Sequence, residues 1–163
     1  MKKALFAAVC ATALSTGAWA QDLEAWGSSE YWDVMIDPSL GYGCLIQSEF
    51  QDGSLVRVGY DRADEVGYVA VFNYEWQGIE DGAYYPITFE LDRNQYDADA
   101  FGYWWGDAPG AIIPFDNDQF LFDIAKKYTM TIYTEDGYLT SFDLTGSYRA
   151  LEAATTCQDE IGW

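Results

Sequence analysis

The chain has 163 residues, 50% hydrophobic and 18% aromatic, with 8 Lys+Arg against 27 Asp+Glu and no histidine. A formal charge of −19 argues against a nucleic-acid binder, because no basic stripe exists to neutralise phosphates. The missing histidine rules out His-based triads, Cys–His pairs and imidazole metal sites, while the length suffices for one domain with a proper core.

Residues 1–20 read as a secretory signal peptide. Lys2 and Lys3 form the positive start, 4–14 is an apolar run, Ser15-Thr16-Gly17 breaks it, and Ala18-Trp19-Ala20 fits the small-x-small cleavage rule. The run is too short to span a membrane, and no later stretch approaches that length. The competing reading is a buried N-terminal helix. Cys10 sits inside the apolar run and leaves with it; its context does not favour lipidation.

Cleavage after Ala20 leaves a single domain, 21–163, with six basic residues against 27 acidic ones, a net charge of −21. Such a field keeps a protein soluble and favours cationic partners, and adaptation to a saline habitat would produce it equally well. Two cysteines remain, Cys44 and Cys157. In the oxidising compartment that export implies, they are expected to form one disulfide; two buried free thiols are the alternative.

The dominant period along the mature chain is two, interrupted every eight to twelve residues by turn chemistry, as in an antiparallel β-sandwich or barrel. Residues 21–29 read as a loose leader with Gly27-Ser28-Ser29 as a joint. Residues 31–37 alternate, with Trp32, Val34 and Ile36 on one face; Pro38 stops the strand and Gly41-Tyr42-Gly43 turns the chain. Residues 44–50 and 55–60 are strands joined through Asp52-Gly53, which supplies the left-handed backbone a tight hairpin needs. Residues 61–66 are a charged loop, and 67–73 are apolar enough for a central strand covered on both faces.

A connector, 74–82, follows with Trp76 and Ile79 as apolar anchors. Residues 84–91 form a strand in which Pro86 points to an edge position. Arg93-Asn94-Gln95 turns the chain into a strand over 98–105; a loop at 106–110 and a short run at 111–115 come next. A helix is expected over 117–127, capped by Asp116 with Gln119 as its reciprocal partner, and with Lys126 and Lys127 at its negative end. Residues 129–134 and 138–144 form a hairpin around Glu135-Asp136-Gly137. A last helix over 148–156, capped by Ser147, leads directly to Cys157. The expected fold is mainly β, about nine strands with two short helices and one disulfide.

Three stretches resemble the invasion-associated locus B family of bacterial envelope proteins. Trp32-Asp33-Val34 is similar to the family's opening W-x-V strand. Cys44-Leu45-Ile46-Gln47 is similar to its second strand, and 144–151, Leu-Thr-Gly-Ser-Tyr-Arg-Ala-Leu, to its closing strand, Gly-aromatic turn and short helix. The resemblance implies a periplasmic or secreted bacterial β-sandwich without established catalytic residues. The chain departs from the pattern at Met35, where a first-strand cysteine is expected, and in lacking a central cysteine pair.

Signals for enzymatic chemistry are weak. A serine nucleophile would need a lysine or carboxylate base, and the only lysines of the mature chain, Lys126 and Lys127, are explained as helix C-terminal charges. No nucleophile elbow, phosphate loop or dinucleotide fingerprint occurs, so no cofactor is implied. A carboxylate-pair glycosidase remains an alternative, although with 27 acids a suitable spacing arises by chance.

Asp92, Asn94, Asp97 and Asp99 are candidate calcium ligands around a turn, without the register of an EF-hand loop; Asp116/Asp118 and Asp61/Asp64/Glu65 are poorer clusters. The bland alternative is a solvated acidic loop. The aromatic run 101–106 is the stronger candidate surface: alternation sends Tyr103 and Trp105 to one face and Trp104 to the other, and Trp76 is placed to join them. An exposed indole beside carboxylates suits a glycan or peptide; the competing reading is that these aromatics pack under the neighbouring loop and helix. The expected function is a non-enzymatic, exported binding or interaction module. Its rival is an inhibitor or scavenger of cationic proteins such as lysozyme-type hydrolases.

Overall fold

Period-two alternation organises the chain, and the computed structural model, which describes residues 23–162, turns it into ten antiparallel strands of one sheet. The strands are β1 (Glu24–Ser29), β2 (Trp32–Asp37), β3 (Gly43–Glu49), β4 (Leu55–Asp61), β5 (Val66–Phe72), β6 (Tyr84–Leu91), β7 (Asn94–Trp105), β8 (Ala108–Phe115), β9 (Thr129–Thr134) and β10 (Gly137–Asp143). Helix α1 (Asp118–Ala125) lies between β8 and β9, helix α2 (Ser147–Ile161) follows β10, and a 3-10 turn (Pro38–Leu40) joins β2 to β3. The signal-peptide residues, with Ala18 and Ala20, lie outside the described residues.

The chain meanders through β5, skips outward to β6, and returns through β7 so that β8 pairs with β5; the order is β1-β2-β3-β4-β5-β8-β7-β6-β9-β10. A flat sheet of this width would leave its apolar face in water, so it folds over. Trp32 and Val34 (β2), Ile46 (β3), Val69 (β5), Phe89 (β6), Ile113 (β8), Ile132 (β9) and Phe142 (β10) are buried in one cluster. The two halves therefore share a core in the manner of a β-sandwich. Contacts between sheet halves fix the fold-over: the Phe50 and Phe142 rings lie 5.2 Å apart, and Thr140 Oγ1 donates to Asp52 Oδ2 at 3.2 Å. Trp32 Nε1, from the first half, donates to the Thr145 carbonyl at 3.1 Å.

Helix α2 closes one side. Ala150, Leu151, Ala154, Cys157 and Gln158 recur at helical spacing and are all buried. The disulfide Cys44–Cys157 bonds this helix to β3, with Cα atoms 6.2 Å apart across 113 residues of sequence. Beside it, Gln158 Oε1 accepts from the Cys44 amide at 2.9 Å, and Trp26 Nε1 on β1 donates to Glu160 at 3.0 Å.

Several boundaries differ from the sequence reading. Residues 24–29 are a strand rather than a leader: the register slips between Ala25 and Gly27, and the bulge turns Trp26 inward, half-buried against the core. Strand β8 starts at Ala108 instead of 111, because the β7–β8 turn needs only Gly106-Asp107, with Gly106 at φ 63°. The cap of α1 is Asn117, whose side chain accepts from the Gln119 amide, not Asp116.

Helix α2 runs on past 156, so Cys157 lies within it. Gly146 precedes its first residue in the left-handed region at φ 84°, while Ser147 donates instead to the Ala125 carbonyl at 3.2 Å. Strand β6 is interior, between β7 and β9, not at an edge. Pro86 is tolerated there because β9 pairs only with the Thr88–Leu91 part of the strand.

Alkylation of the unreduced mature protein should label no cysteine, and a Cys44→Ser/Cys157→Ser variant should lose up to about 4–5 kcal/mol of unfolding free energy in a urea titration. Asp143 is held below the usual carboxylate range by its hydrogen bonds from Thr145, in the turn that leads β10 into α2. A depressed folded-state pKa adds stability above the unfolded-state value and loses it as pH falls. Asp143→Ala should therefore lower Tm at pH 7, with the difference disappearing as pH drops through the carboxylate range.

Candidate functional site

Proline has no N–H to donate, and at Pro86 this leaves a gap in the ladder. Strand β6 pairs with β7 along its whole length, from Tyr84↔Phe101 to Leu91↔Asn94, but with β9 only from Thr88↔Tyr133 onward. Between the unpaired start of β6 and the β9–β10 turn the apolar face is covered by the 73–83 connector instead of by sheet. Side chains pin that connector. Asn73 Oδ1 accepts from the Glu75 amide at 2.8 Å, Tyr85 Oη accepts from the Glu80 amide at 2.9 Å, and Trp104 Nε1 donates to the Ile79 carbonyl at 3.0 Å. Gly102 allows the close approach: its amide donates to Ala83 O and its carbonyl accepts from Gly82, and a Cβ there would collide with the Glu80 carbonyl.

Beneath the connector lies a cavity of about 470 Å³, within the range of small-molecule sites. Val71, Ile87, Ala100, Ala111, Ile113, Ile132 and Leu139 form its apolar walls, Trp76, Ile79 and Tyr85 its connector side, and Glu75, Glu135 and Asp136 its acidic rim. None of the lining residues is basic, and none is a serine or cysteine. The three rim carboxylates are exposed and come from two loops, the connector and the β9–β10 turn.

The sequence candidates divide between two faces of the sheet. Trp76 lines the cavity, half-buried against the core. Trp104, 43% exposed, is on the connector's side and holds it through the Ile79 carbonyl. Tyr103 and Trp105 are on the other face, both packed against Phe72. There Arg57, 4% exposed, stacks its guanidinium 3.9 Å from the Trp105 ring centroid and donates from Nε to Gln47 Oε1 at 3.2 Å. Burial lowers the Arg57 pKa from its ordinary value, opposed by the nearby Tyr68 and Asp37. The Tyr103 hydroxyl is pushed up, first by burial and then by Asp37. This is a cation–π cluster built into the outer face of the sheet, continuous with the buried Tyr68, Ala70 and Phe72.

The candidate calcium ligands are spread along the β6–β7 hairpin. Asp92, at φ 56° in the turn, accepts from the Tyr128 and Thr129 amides at 3.0 and 3.1 Å. Asp97 accepts from Thr88 Oγ1 at 3.0 Å, and Asp99 accepts from the Tyr84 hydroxyl, which raises the tyrosine pKa. Asn94 is exposed beyond the turn. Among the described residues no group of three or more acidic or cysteine side chains is arranged to hold a metal ion.

The cavity residues Tyr85, Pro86, Leu139, Glu135 and Asp136 were not singled out as functional by the sequence reading. The usable signal is a proline in an otherwise good strand, preceded by a connector anchored by Trp76 and Ile79, two features that locate the same gap.

No protein-family model matches the chain, and no curated protein matches it in sequence. Among solved structures it is similar to invasion associated protein B from Bartonella henselae, with a TM-score of 0.57 and 13% identity over 82% of this chain and 99% of that one. The likeness bears out, at the level of fold, the resemblance carried by Trp32, Cys44 and the 144–151 segment.

Gly102→Ala should force the connector off β7. The expected result is a lower Tm and faster proteolysis confined to 74–83; unchanged proteolysis there would mean that the connector does not depend on the close approach.

Proposed function

We propose that this chain is an exported, non-enzymatic envelope protein, periplasmic or secreted, that acts as a binding module and takes its ligand into the cavity under the 73–83 connector. The observation that carries the reading is the cavity itself. It is apolar, large enough for a small ligand, walled by rigid strands, and roofed by a loop that is held by a few hydrogen bonds. Loops in such a position can open at modest cost, because they bury few groups of their own.

Three features support binding rather than catalysis. The lining offers no serine, cysteine or lysine. Its rim carboxylates are exposed, whereas a proton-donating carboxyl is normally set apart from its partner by burial. The chain also has no histidine to serve as a base. Export is supported by the signal-like residues 1–20 and by the Cys44–Cys157 bond, which suits an oxidising compartment. The fold shared with invasion associated protein B fits an envelope protein.

A neutral solvatochromic dye such as Nile red should bind the mature protein saturably at one site, with a blue-shifted emission. Leu139→Trp and Ala111→Leu, which fill the cavity from opposite walls, should each reduce its affinity about tenfold or more. Tyr103→Ala, on the other face, should leave it unchanged. Binding that survives both fillings while Tyr103→Ala abolishes it would move the site to the outer face.

A further inference from the structure

The charges of the protein are unevenly placed about this cavity. At the cavity end of β5 to β10, the connector, the β7–β8 turn and the β9–β10 turn carry Glu75, Glu80, Asp81, Asp107, Glu135 and Asp136 and no cation. At the far ends of the same strands stand Arg62 before β5, Arg93 between β6 and β7, and Lys126 and Lys127 before β9. Of the remaining cations, Arg57 is buried on the opposite face and Arg149 pairs with Glu30 at 3.3 Å. An overall excess of acid therefore becomes a local field at the cavity mouth, where Glu75 and the Glu135-Asp136 turn line the same apolar interior.

We infer that the cavity selects a small amphiphile with an apolar body and one cationic end, an alkylammonium or a guanidinium-tipped apolar group. The inference rests on the reading of the cavity as the ligand site. The apolar walls take the body, and the end group stays at the rim, where it keeps part of its hydration while meeting three carboxylates. A neutral amphiphile of equal length gains only the apolar contact. An anionic one is repelled by the rim, and no lining cation relieves this. The remoteness of Arg62, Arg93, Lys126 and Lys127 makes the preference a property of the rim as well as of the net charge.

The test is a competition against Nile red with octylamine, octanol and octanoate at neutral pH. Octylamine should displace the dye at a concentration about tenfold below that of octanol, and octanoate should be weaker than octanol. The amine preference should shrink several-fold in Glu75→Gln/Glu135→Gln/Asp136→Asn and at high salt, while the dye itself binds the variant as before. A control with three distant acids neutralised, Asp64→Asn/Asp116→Asn/Glu152→Gln, should retain the preference. Equal displacement by amine and alcohol would overturn the inference and leave the cavity reading standing. An equal loss in the rim and distant variants would overturn it too, by assigning the preference to net charge. Failure of the dye to bind wild type would overturn the cavity reading and this inference with it.

Discussion

A ten-stranded sheet with two unpaired edges has no intrinsic reason to stay folded over; α2 packed against the first strands holds it, together with the contacts of Trp32, Phe50 and Asp52 to the β10 half. One disulfide, one buried glutamine bonded to the Cys44 amide, and an apolar stripe of the helix bring residues 113 apart in sequence to the same place. This side of the sandwich is closed by covalent and helical contacts together. The rest of the core, from Trp32 to Phe142, belongs to the same buried cluster as this clasp. Such a long closure is effective because it removes many extended states of the unfolded chain.

The other end of the sandwich is built differently. Strands β6 and β9 part at Pro86, which has no amide hydrogen to give, and a loop spans the gap. The loop is fastened by Tyr85, Trp104 and the close approach at Gly102, not by ladder bonds. A loop cannot fill a sheet-lined interior as tightly as side chains from a facing strand, so space remains beneath it. The same chain thus has a covalently closed side and a loosely roofed one. The roofed side also carries the one-signed charge that sets its selectivity. The single deeply buried arginine is kept out of that interior, stacked between Trp105 and Phe72 on the outer face.

Elements whose pattern is local were legible in the sequence. Trp32, Val34 and Ile36 alternate and are buried as their spacing requires; Asp52-Gly53 and Glu135-Asp136-Gly137 turn the chain where they should; and β5 is apolar because both its faces are covered. Elements whose identity depends on a distant partner were not. Strand β1 is mostly exposed and its period breaks at Trp26, so only its pairing with β2 and the reach of Trp26 to Glu160 make it a strand. The last turn of α2, 157–161, lies beyond the helix read from the sequence until Cys157 and Gln158 are seen as the continuation of its buried stripe.

Pro86 points to an edge position in the sequence, but β6 is interior: its partner β9 is present and stops short of the proline. The cavity was the least legible feature. Its walls come from β5 to β10, and no sequence window contains more than a few of them.

The proposed binding role turns on ligand entry at the Pro86 gap and not on the aromatic outer face. The indole N–H resonances of Trp76, Trp104 and Trp105 report on these two places separately, and a titration of the mature protein with octylamine, followed by ¹H–¹⁵N correlation spectra, reads them at once. Saturable shifts at Trp76 and Trp104 with Trp105 unmoved are expected if the ligand enters there. Shifts centred on Trp105, with Trp76 and Trp104 silent, would contradict it.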